Sequence, residues 1–481
     1  MTWIEETILK RGPLLSGTLI SEMQSQGISN EAIRKRISRV EPPLYKLSKY
    51  FKNRQSLIYH IDHINGREYY NGLISAFETA GKSYFAAIKA LEYHQGYLRK
   101  DELANYLISP VGNLKKHKKA EVIIKDLIKL KVIQENEDYY SLNPLYSRSG
   151  DFKHFKGINI AKEVTIKQLY NWARSINLVS YDKGTFNSEY SGFQWAFVGP
   201  SYISTVLQFK EEKLNPGFIV SDILIIDMVE KSHIEFFIAK LEIIKRLNVP
   251  KVIPLLLVNK VSNEALQLLK EKGIIVGFIE KIFGPGYSQL LSSLIKVIEE
   301  AGKLLKSDPD KFIKLLDQIN KFVDGGVNNL RGDLFELAVG YFYSSQCQVL
   351  EIGKKISHEG QITDIDVLVI KQDRLILAEC KGYKSNISKQ VIEDWITNKI
   401  PLFYKWVNSQ SLLRGKKITF EFWSASEYTE DARKIFTERS DVLRKYEVKI
   451  YDRQEIIKMA KDFRITKFIE IMNNYFIKVP A

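Results

Sequence analysis

Apolar positions in the first 60 residues fall into short helical stripes separated by breakers. Residues 3–10 predict one helix and residues 16–26 a second, with Leu19, Ile20 and Met23 on one face; Gly27 ends it. Ser29 then stands as an N-cap ahead of residues 30–40, where Ala32, Ile33, Ile37 and Val40 form the apolar stripe. The opposite face carries Asn30, Arg34, Lys35, Ser38 and Arg39, with Arg36 at its flank. After Pro42 and Pro43, two short strands are expected around Lys52, Asn53 and Arg54. A similar order returns over 83–143: helices at 83–94, 100–108 and 119–131, then a hairpin across 132–143.

From about residue 155 the pattern changes to alternating helices and strands. Helices are expected over 160–176, 234–247, 262–271 and 288–306, and strands near 193–198, 218–226, 252–258 and 273–278. Continuous apolar strands between helices predict an α/β sheet buried on both faces. A charged helix follows over 308–322, then the flexible Asp324, Gly325 and Gly326, and a helix over 333–344 with Glu336 among apolar neighbours. A strand around 348–352 leads to two runs of period two, 362–370 and 374–381. Alternation puts Asp364 and Asp366 on one side of the first run, and Glu379 and Lys381 on one side of the second. Three carboxylates and an ammonium on neighbouring strands make a poor core and a good grip on a divalent cation beside a phosphate.

Composition narrows the setting. At 481 residues the chain is too long for one core. Its 71 Lys and Arg exceed 57 Asp and Glu, a formal charge of +14 that favours a polyanionic partner such as nucleic acid. Two cysteines, Cys347 and Cys380, are too few for a disulfide framework or a structural zinc site, and suit a reducing compartment. No apolar run reaches the ~18 residues of a membrane span. A cytoplasmic protein is expected.

The order helix Glu336, strand Asp366, then Glu379-x-Lys381 resembles the PD-(D/E)xK nuclease superfamily, the restriction-endonuclease-like fold, and within it the Mrr type and archaeal Holliday-junction resolvases. The resemblance covers roughly residues 328–461, including a later strand, loop, helix and last strand closing on Asp452. Ile365 stands where a Pro often precedes the strand Asp. The resemblance implies an α/β/α domain that cleaves DNA with Mg²⁺, Mn²⁺ being the natural substitute. Asp366, Glu379 and the Cys380 backbone carbonyl would hold the metal, Glu336 would bind a second ion or a bound water, and Lys381 would orient the attacking water. An unpaired carboxylate at Glu336 would be costly if buried, so a partner is expected there. Asp364 and Gln390 are possible helpers; Lys384 and Lys389 are phosphate contacts or plain surface; Cys380, Trp395 and Trp406 are core.

The N-terminal stretch resembles a winged helix-turn-helix. Asn30, Arg34, Lys35 and Arg39 would read the major groove of double-stranded DNA, and Lys52 and Arg54 would touch its backbone. The second unit resembles another winged helix, with an acidic hairpin (Glu135, Asn136, Glu137, Asp138) and a basic run at 115–119, and serves equally as a spacer or protein-binding module. His60, Asp62, His63, Asn65 and Gly66 resemble part of an HNH nuclease motif, but a wing leading into a helix is the better reading.

The middle region repeats the element order of the C-terminal one, with Asp222 in the place of Asp366 but no Glu-x-Lys; its Glu235 and Lys240 stand five apart in a helical stretch. It reads as a degenerate nuclease-like copy, an unrelated Rossmann-like spacer being the alternative. A nucleotide-sensing domain is a third reading, although Gly199–Ser201 and Gly284–Gly286 match neither a dinucleotide nor a Walker pattern.

The expected architecture is therefore α/β and multidomain. It comprises a winged helix at 1–72, a winged-helix-like module at 73–150, a degenerate α/β domain at 151–306, a linker helix at 307–327 and a nuclease domain at 328–481. A metal-dependent, defence-type DNA endonuclease is the function expected, acting as a homodimer if both strands are cut. A structure-specific or nucleotide-activated nuclease is one alternative, and a non-catalytic DNA-binding regulator another.

Overall fold

The structure is a computed structural model that describes residues 2–477 apart from 65, 116, 137, 146–150, 211–212, 323–327, 359–360 and 441–444. The expected linker at Asp324–Gly326, Asn65 of the histidine segment, Lys116 of the basic run and Glu137 of the acidic hairpin lie outside the described residues. Two compact units result: residues 1–151 with 173–278, and residues 152–172 with 279–481. The second unit runs through the expected borders at 306 and 327. Among the described residues, no helix is long and apolar enough to cross a membrane.

The first unit opens with α1 (Trp3–Arg11), β1 (Leu14–Leu15), α2 (Ser16–Ser25), α3 (Asn30–Ser38), β2 (Leu44–Leu47) and β3 (Leu57–His60), the strands lying in the order β1-β3-β2. Ser29 caps α3 by accepting from the Ala32 N–H. Leu19, Met23, Ile33 and Ile37 meet Ile4 and Ile8 in one small core. Next come α4 (Arg67–Ala80), α5 (Lys82–Tyr93), β4 (Tyr97–Arg99), α6 (Ala120–Lys129), β5 (Ile133–Glu135) and β6 (Tyr139–Leu142), with β6 between β4 and β5. The helix expected over 100–108 is only a 3₁₀ turn, Leu103–Tyr106. All four of its residues are buried, so packing on every side, not one apolar face, sets its shape.

A five-stranded sheet completes this unit: β7 (Thr185–Tyr190), β8 (Phe193–Ser201), β11 (Gly217–Leu224), β12 (Val252–Val258) and β13 (Ile275–Phe278), with the small hairpin β9 (Gln208–Lys210) and β10 (Lys213–Asn215) to one side. Helix α8 (Lys231–Ile244) joins β11 to β12, and α9 (Asn263–Glu271) joins β12 to β13. The Tyr106 hydroxyl donates to the Ile223 carbonyl at 2.9 Å, and one apolar cluster runs from α4 to α9. The second helical module and the middle sheet thus share a core and are not separate domains.

Helix α7 (Phe152–Ser175) begins in the second unit and ends in the first. The second unit continues with α10 (Ile279–Phe283), α11 (Tyr287–Glu299), α12 (Ala301–Ser307), α13 (Pro309–Phe322) and α14 (Asn328–Ser344). Phe312, Leu315 and Leu316 of α13 are buried, so the expected linker helix is part of the core. The sheet follows as β14 (Val349–His358), β15 (Gln361–Ile370), β16 (Arg374–Lys381), β17 (Lys417–Ser424) and β18 (Glu447–Tyr451), lying side by side in chain order.

Helices α15 (Lys389–Asp394) and α16 (Ile400–Ser409) join β16 to β17, α17 (Glu430–Ser440) joins β17 to β18, and α18 (Arg453–Asp462) with α19 (Thr466–Ile471) close the chain. Helix α14 covers one face of the sheet, where Phe342 meets Trp423 at 5.2 Å between ring centres. The other face carries α15 and α16, where Trp395 meets Phe422 at 5.2 Å.

Both five-stranded sheets run antiparallel, antiparallel, parallel, parallel from their first strand to their last. The shared order corrects one expectation. Asp222 lies on β11, the third strand, so its counterpart is Glu379 on β16 and not Asp366 on β15. Its polar edge strand β7, TFNSEY, has no apolar alternation to announce it.

Candidate active site

Strand β16 has six consecutive buried residues, Leu375–Cys380, the signature of a central strand covered on both faces. It pairs with β15 from Ile370 and Leu375 to Val367 and Ala378, where the ladder stops. Each strand then stays bonded only to its outer neighbour, β15 to β14 and β16 to β17. Asp366 and Glu379 are the first residues past the last pair. Continuing the register sets them opposite each other, with Asp364 and Lys381 two residues further on the same face. The Asp366 carboxylate takes over where the ladder ends, its Oδ2 accepting from the Cys380 N–H at 2.7 Å. Ala378 and Cys380 point to the opposite face, and Cys380 is buried core as expected.

Glu379 is 2 % exposed. Its Oε1 accepts from Lys381 Nζ at 2.8 Å and Lys399 Nζ at 2.9 Å. Burial pushes this carboxyl up, but the Lys381 and Lys399 ammoniums outweigh it and hold it at about 2. Its other oxygen, Oε2, is buried with no hydrogen-bond partner among the described residues. Asp366 has the opposite fate: burial, then the Glu379 and Glu336 carboxylates, lift it well above the usual range.

Glu336, on α14, turns toward a residue far away in sequence. Lys156 of α7 reaches its Oε2 at 3.0 Å and Oε1 at 3.2 Å, Asp364 Oδ2 at 3.4 Å and Asp333 Oδ1 at 3.9 Å. Burial, only partly countered by Lys156, raises the Glu336 carboxyl to about 8. Burial alone would lower Lys156, yet the surrounding Glu336, Asp364, Asp333 and Asp366 carboxylates hold it well above the ordinary lysine range. Helix α14 is itself fixed by Arg331, whose Nε donates to the Gly382 carbonyl at 2.6 Å and whose Nη1 donates to the Tyr475 carbonyl at 2.7 Å. Gly382 is needed there: a Cβ would fall 2.5 Å from the Arg331 carbonyl oxygen.

The structure thus brings together Glu336, Asp364, Asp366, Glu379 and Lys381. It does not bring Gln390, which is exposed on the first turn of α15, as are Lys384 and Lys389 nearby. Trp395 and Trp406 are buried core, as expected. Three participants have no local sequence signal: Lys156, Asp333 and Lys399. Lys399 ends a π-turn, Trp395–Lys399, between α15 and α16, and Pro401 follows it. A proline cannot donate to the preceding turn and crowds it, so the helix widens there, and the widened turn carries Lys399 to Glu379.

A bare, buried carboxylate oxygen beside a second carboxylate suits a hard divalent cation, which prefers oxygen donors and keeps several waters. Asp366 and Glu379 have that chemistry. Glu336 is already engaged by Lys156, and among the described residues no group of three or more acidic, His or Cys side chains is gathered to hold an ion.

The middle sheet carries a related pair without the rest. Asp222 accepts from Lys240 Nζ of α8 at 3.1 Å, both side chains being 0 % exposed. Asp222 Oδ1 accepts from the Ala196 N–H at 2.8 Å. A strand acid and a lysine from the following helix recur, as Glu379 and Lys399 do, but with no second strand carboxylate. In the N-terminal module, Asn30, Arg34, Lys35, Arg39, Lys52 and Arg54 are all exposed. His60, the last residue of β3, and His63, in the 3₁₀ turn before α4, are both buried, and His63 faces Glu68 at 3.3 Å.

No family model matches the chain, and no curated protein sequence matches it. Among solved structures it is similar to Can2 from Sulfobacillus thermosulfidooxidans in complex with cyclic tetra-adenylate, at 16 % identity and a TM-score of 0.17, over 37 % of this chain and 54 % of that one. The chain therefore spans about half of the Can2 chain.

Proposed function

We propose that the chain is a metal-dependent nuclease that hydrolyses phosphodiester bonds in DNA, with a restriction-endonuclease-like C-terminal domain. The observation that carries this reading is the parting of β15 and β16 just before Asp366 and Glu379, which leaves a buried Glu379 oxygen without a hydrogen-bond partner among the described residues. Asp366 and Glu379 would hold Mg²⁺ or Mn²⁺, which would supply charge for the phosphate oxygens and lower the pKa of a bound water.

The chain's own residues do the rest. Lys381 shares its strand face with Glu379, where its ammonium lies ready to orient the attacking water and offset charge developing on phosphorus. Lys399 holds Glu379 ionised and fixes its Oε1, leaving Oε2 as the free donor. The exposed basic face of α3 with Lys52 and Arg54 fits a winged helix that delivers duplex DNA, the net charge of +14 adding a general attraction.

A cleavage screen over plain, methylated, branched and single-stranded DNA with Mg²⁺ or Mn²⁺ tests the proposal. Metal-dependent cutting of at least one substrate is expected. Binding without cutting under every metal would favour a DNA-binding regulator instead.

A further inference from the structure

Lys156 is not part of the strand and helix pattern that defines the carboxylate site, yet the molecule is built to deliver it there. Gly157, the next residue, lets α7 lie directly against α11: a Cβ at that position would fall 2.9 Å from the Ile295 Cα. His154, two residues before Lys156, pairs with Glu299 at the end of α11. On the sheet side, Gly353 of β14 takes a left-handed φ of +60°, and a Cβ there would come 3.6 Å from Lys156 Nζ. The close approach at Gly157 and the His154–Glu299 pair therefore help to seat one ammonium among Glu336, Asp364 and Asp333.

Charge makes the consequence specific. Buried Glu336, Asp366 and Glu379 and partly buried Asp333 and Asp364 gather around the partly buried ammoniums of Lys156, Lys381 and Lys399. Lys156 already places one positive charge among Glu336, Asp364 and Asp333. A second divalent ion placed beside Glu336 and Asp364 would face the Lys156 ammonium as a like charge with little water between them to screen it. The position it would take, beside Glu336 and Asp364, already has a cation.

We propose that Lys156 is a resident cation standing in for a second metal, so that the site takes one divalent ion, at Asp366 and Glu379, and Glu336 is a partner of Lys156 and not a metal ligand. This rests on the metal-dependent nuclease reading. It makes Lys156 a positioning residue that sets the charge and metal count of the site.

The test is Mn²⁺ binding to the full chain, counted by calorimetry and by electron paramagnetic resonance, where two ions close together show magnetic coupling. The natural chain is expected to bind a single Mn²⁺, with no coupling. Lys156→Ala is expected to bind a second Mn²⁺ with a coupled spectrum. Lys156→Arg should keep a single ion, and Lys156→Ala combined with Glu336→Gln should return to one. Two ions in the natural chain, or one in a folded Lys156→Ala, would overturn the inference while leaving the nuclease reading in place. No Mn²⁺ bound to the natural chain would overturn both. If Lys156→Ala does not fold, the count in the natural chain decides the inference alone.

Discussion

Lys240→Met tests whether the middle sheet is held by a buried ion pair with no catalytic part. Lys240 Nζ meets Asp222 Oδ2 at 3.1 Å and the Gln194 carbonyl at 2.8 Å, also donates to the Asn105 carbonyl, and lies 4.4 Å from the Trp195 ring centre. Methionine keeps the packing on Trp195 and removes every one of those donations. The Asp222 carboxylate, at 0 % exposure, then loses its ammonium partner, while the Ala196 N–H still donates to it. Removing one partner of a buried pair costs about 3–5 kcal/mol, more than the pair itself contributes, because the surviving charge has lost its compensation. In a unit of this size that is a fall of roughly 6–20 °C in the midpoint of its thermal transition.

Adding Asp222→Asn should restore most of the loss, since the amide oxygen still accepts from Ala196 and the stranded charge is gone. The pH dependence has a definite sign. Burial, opposed by Asp222, lowers the Lys240 pKa below its ordinary value. Between the folded and unfolded values the unfolded chain binds more protons, so this group makes stability rise with pH as the alkaline range is approached. Lys240→Met should lose that slope. Calorimetry and urea titration read both effects, and DNA cleavage well below the transition should persist. A loss under about 0.5 kcal/mol, the usual range of surface changes, would refute the buried-pair account. Cleavage lost in the folded variant would refute the non-catalytic one.

Other outcomes are equally specific. Arg34→Ala with Arg39→Ala should weaken duplex binding and reduce its salt slope, since each removes a cation that meets the DNA; an unchanged slope in filter-binding or anisotropy titrations would place the contact elsewhere. Lys399→Met should cost cleavage roughly 10–100-fold, the usual effect of losing a group that orients a metal ligand, with Lys399→Arg partly restoring it. A full-rate Lys399→Met would mean that Lys381 alone fixes Glu379.

What the sequence revealed of this site was its strand part. Period two placed Asp364, Asp366, Glu379 and Lys381 on their faces, and Cys380 on the other, because alternation is a local property of an extended chain. The buried state of Glu336 was also legible, from its apolar neighbours. Its partner was not: Lys156 lies 180 residues away, and nothing in the residues around it marks a lysine whose ammonium will be buried. Lys399 depends on a π-turn whose one local trace is Pro401. Domain borders failed for a similar reason. The amphipathic α13 looks like a spacer until tertiary packing buries Phe312, and α7 belongs to two units at once. The polar, half-exposed β7 carries no strand pattern, and without it Asp222 falls one strand too early in the order.

The most direct test of the site is cleavage by Glu379→Ala and Lys381→Ala, each as folded full-length protein, on a DNA substrate that the natural chain cuts with Mg²⁺. Removing a metal ligand or the group that stabilises developing charge typically costs about 100-fold or more in rate. Both variants should therefore lose cleavage while keeping duplex affinity. Cleavage at the natural rate by either would contradict the account.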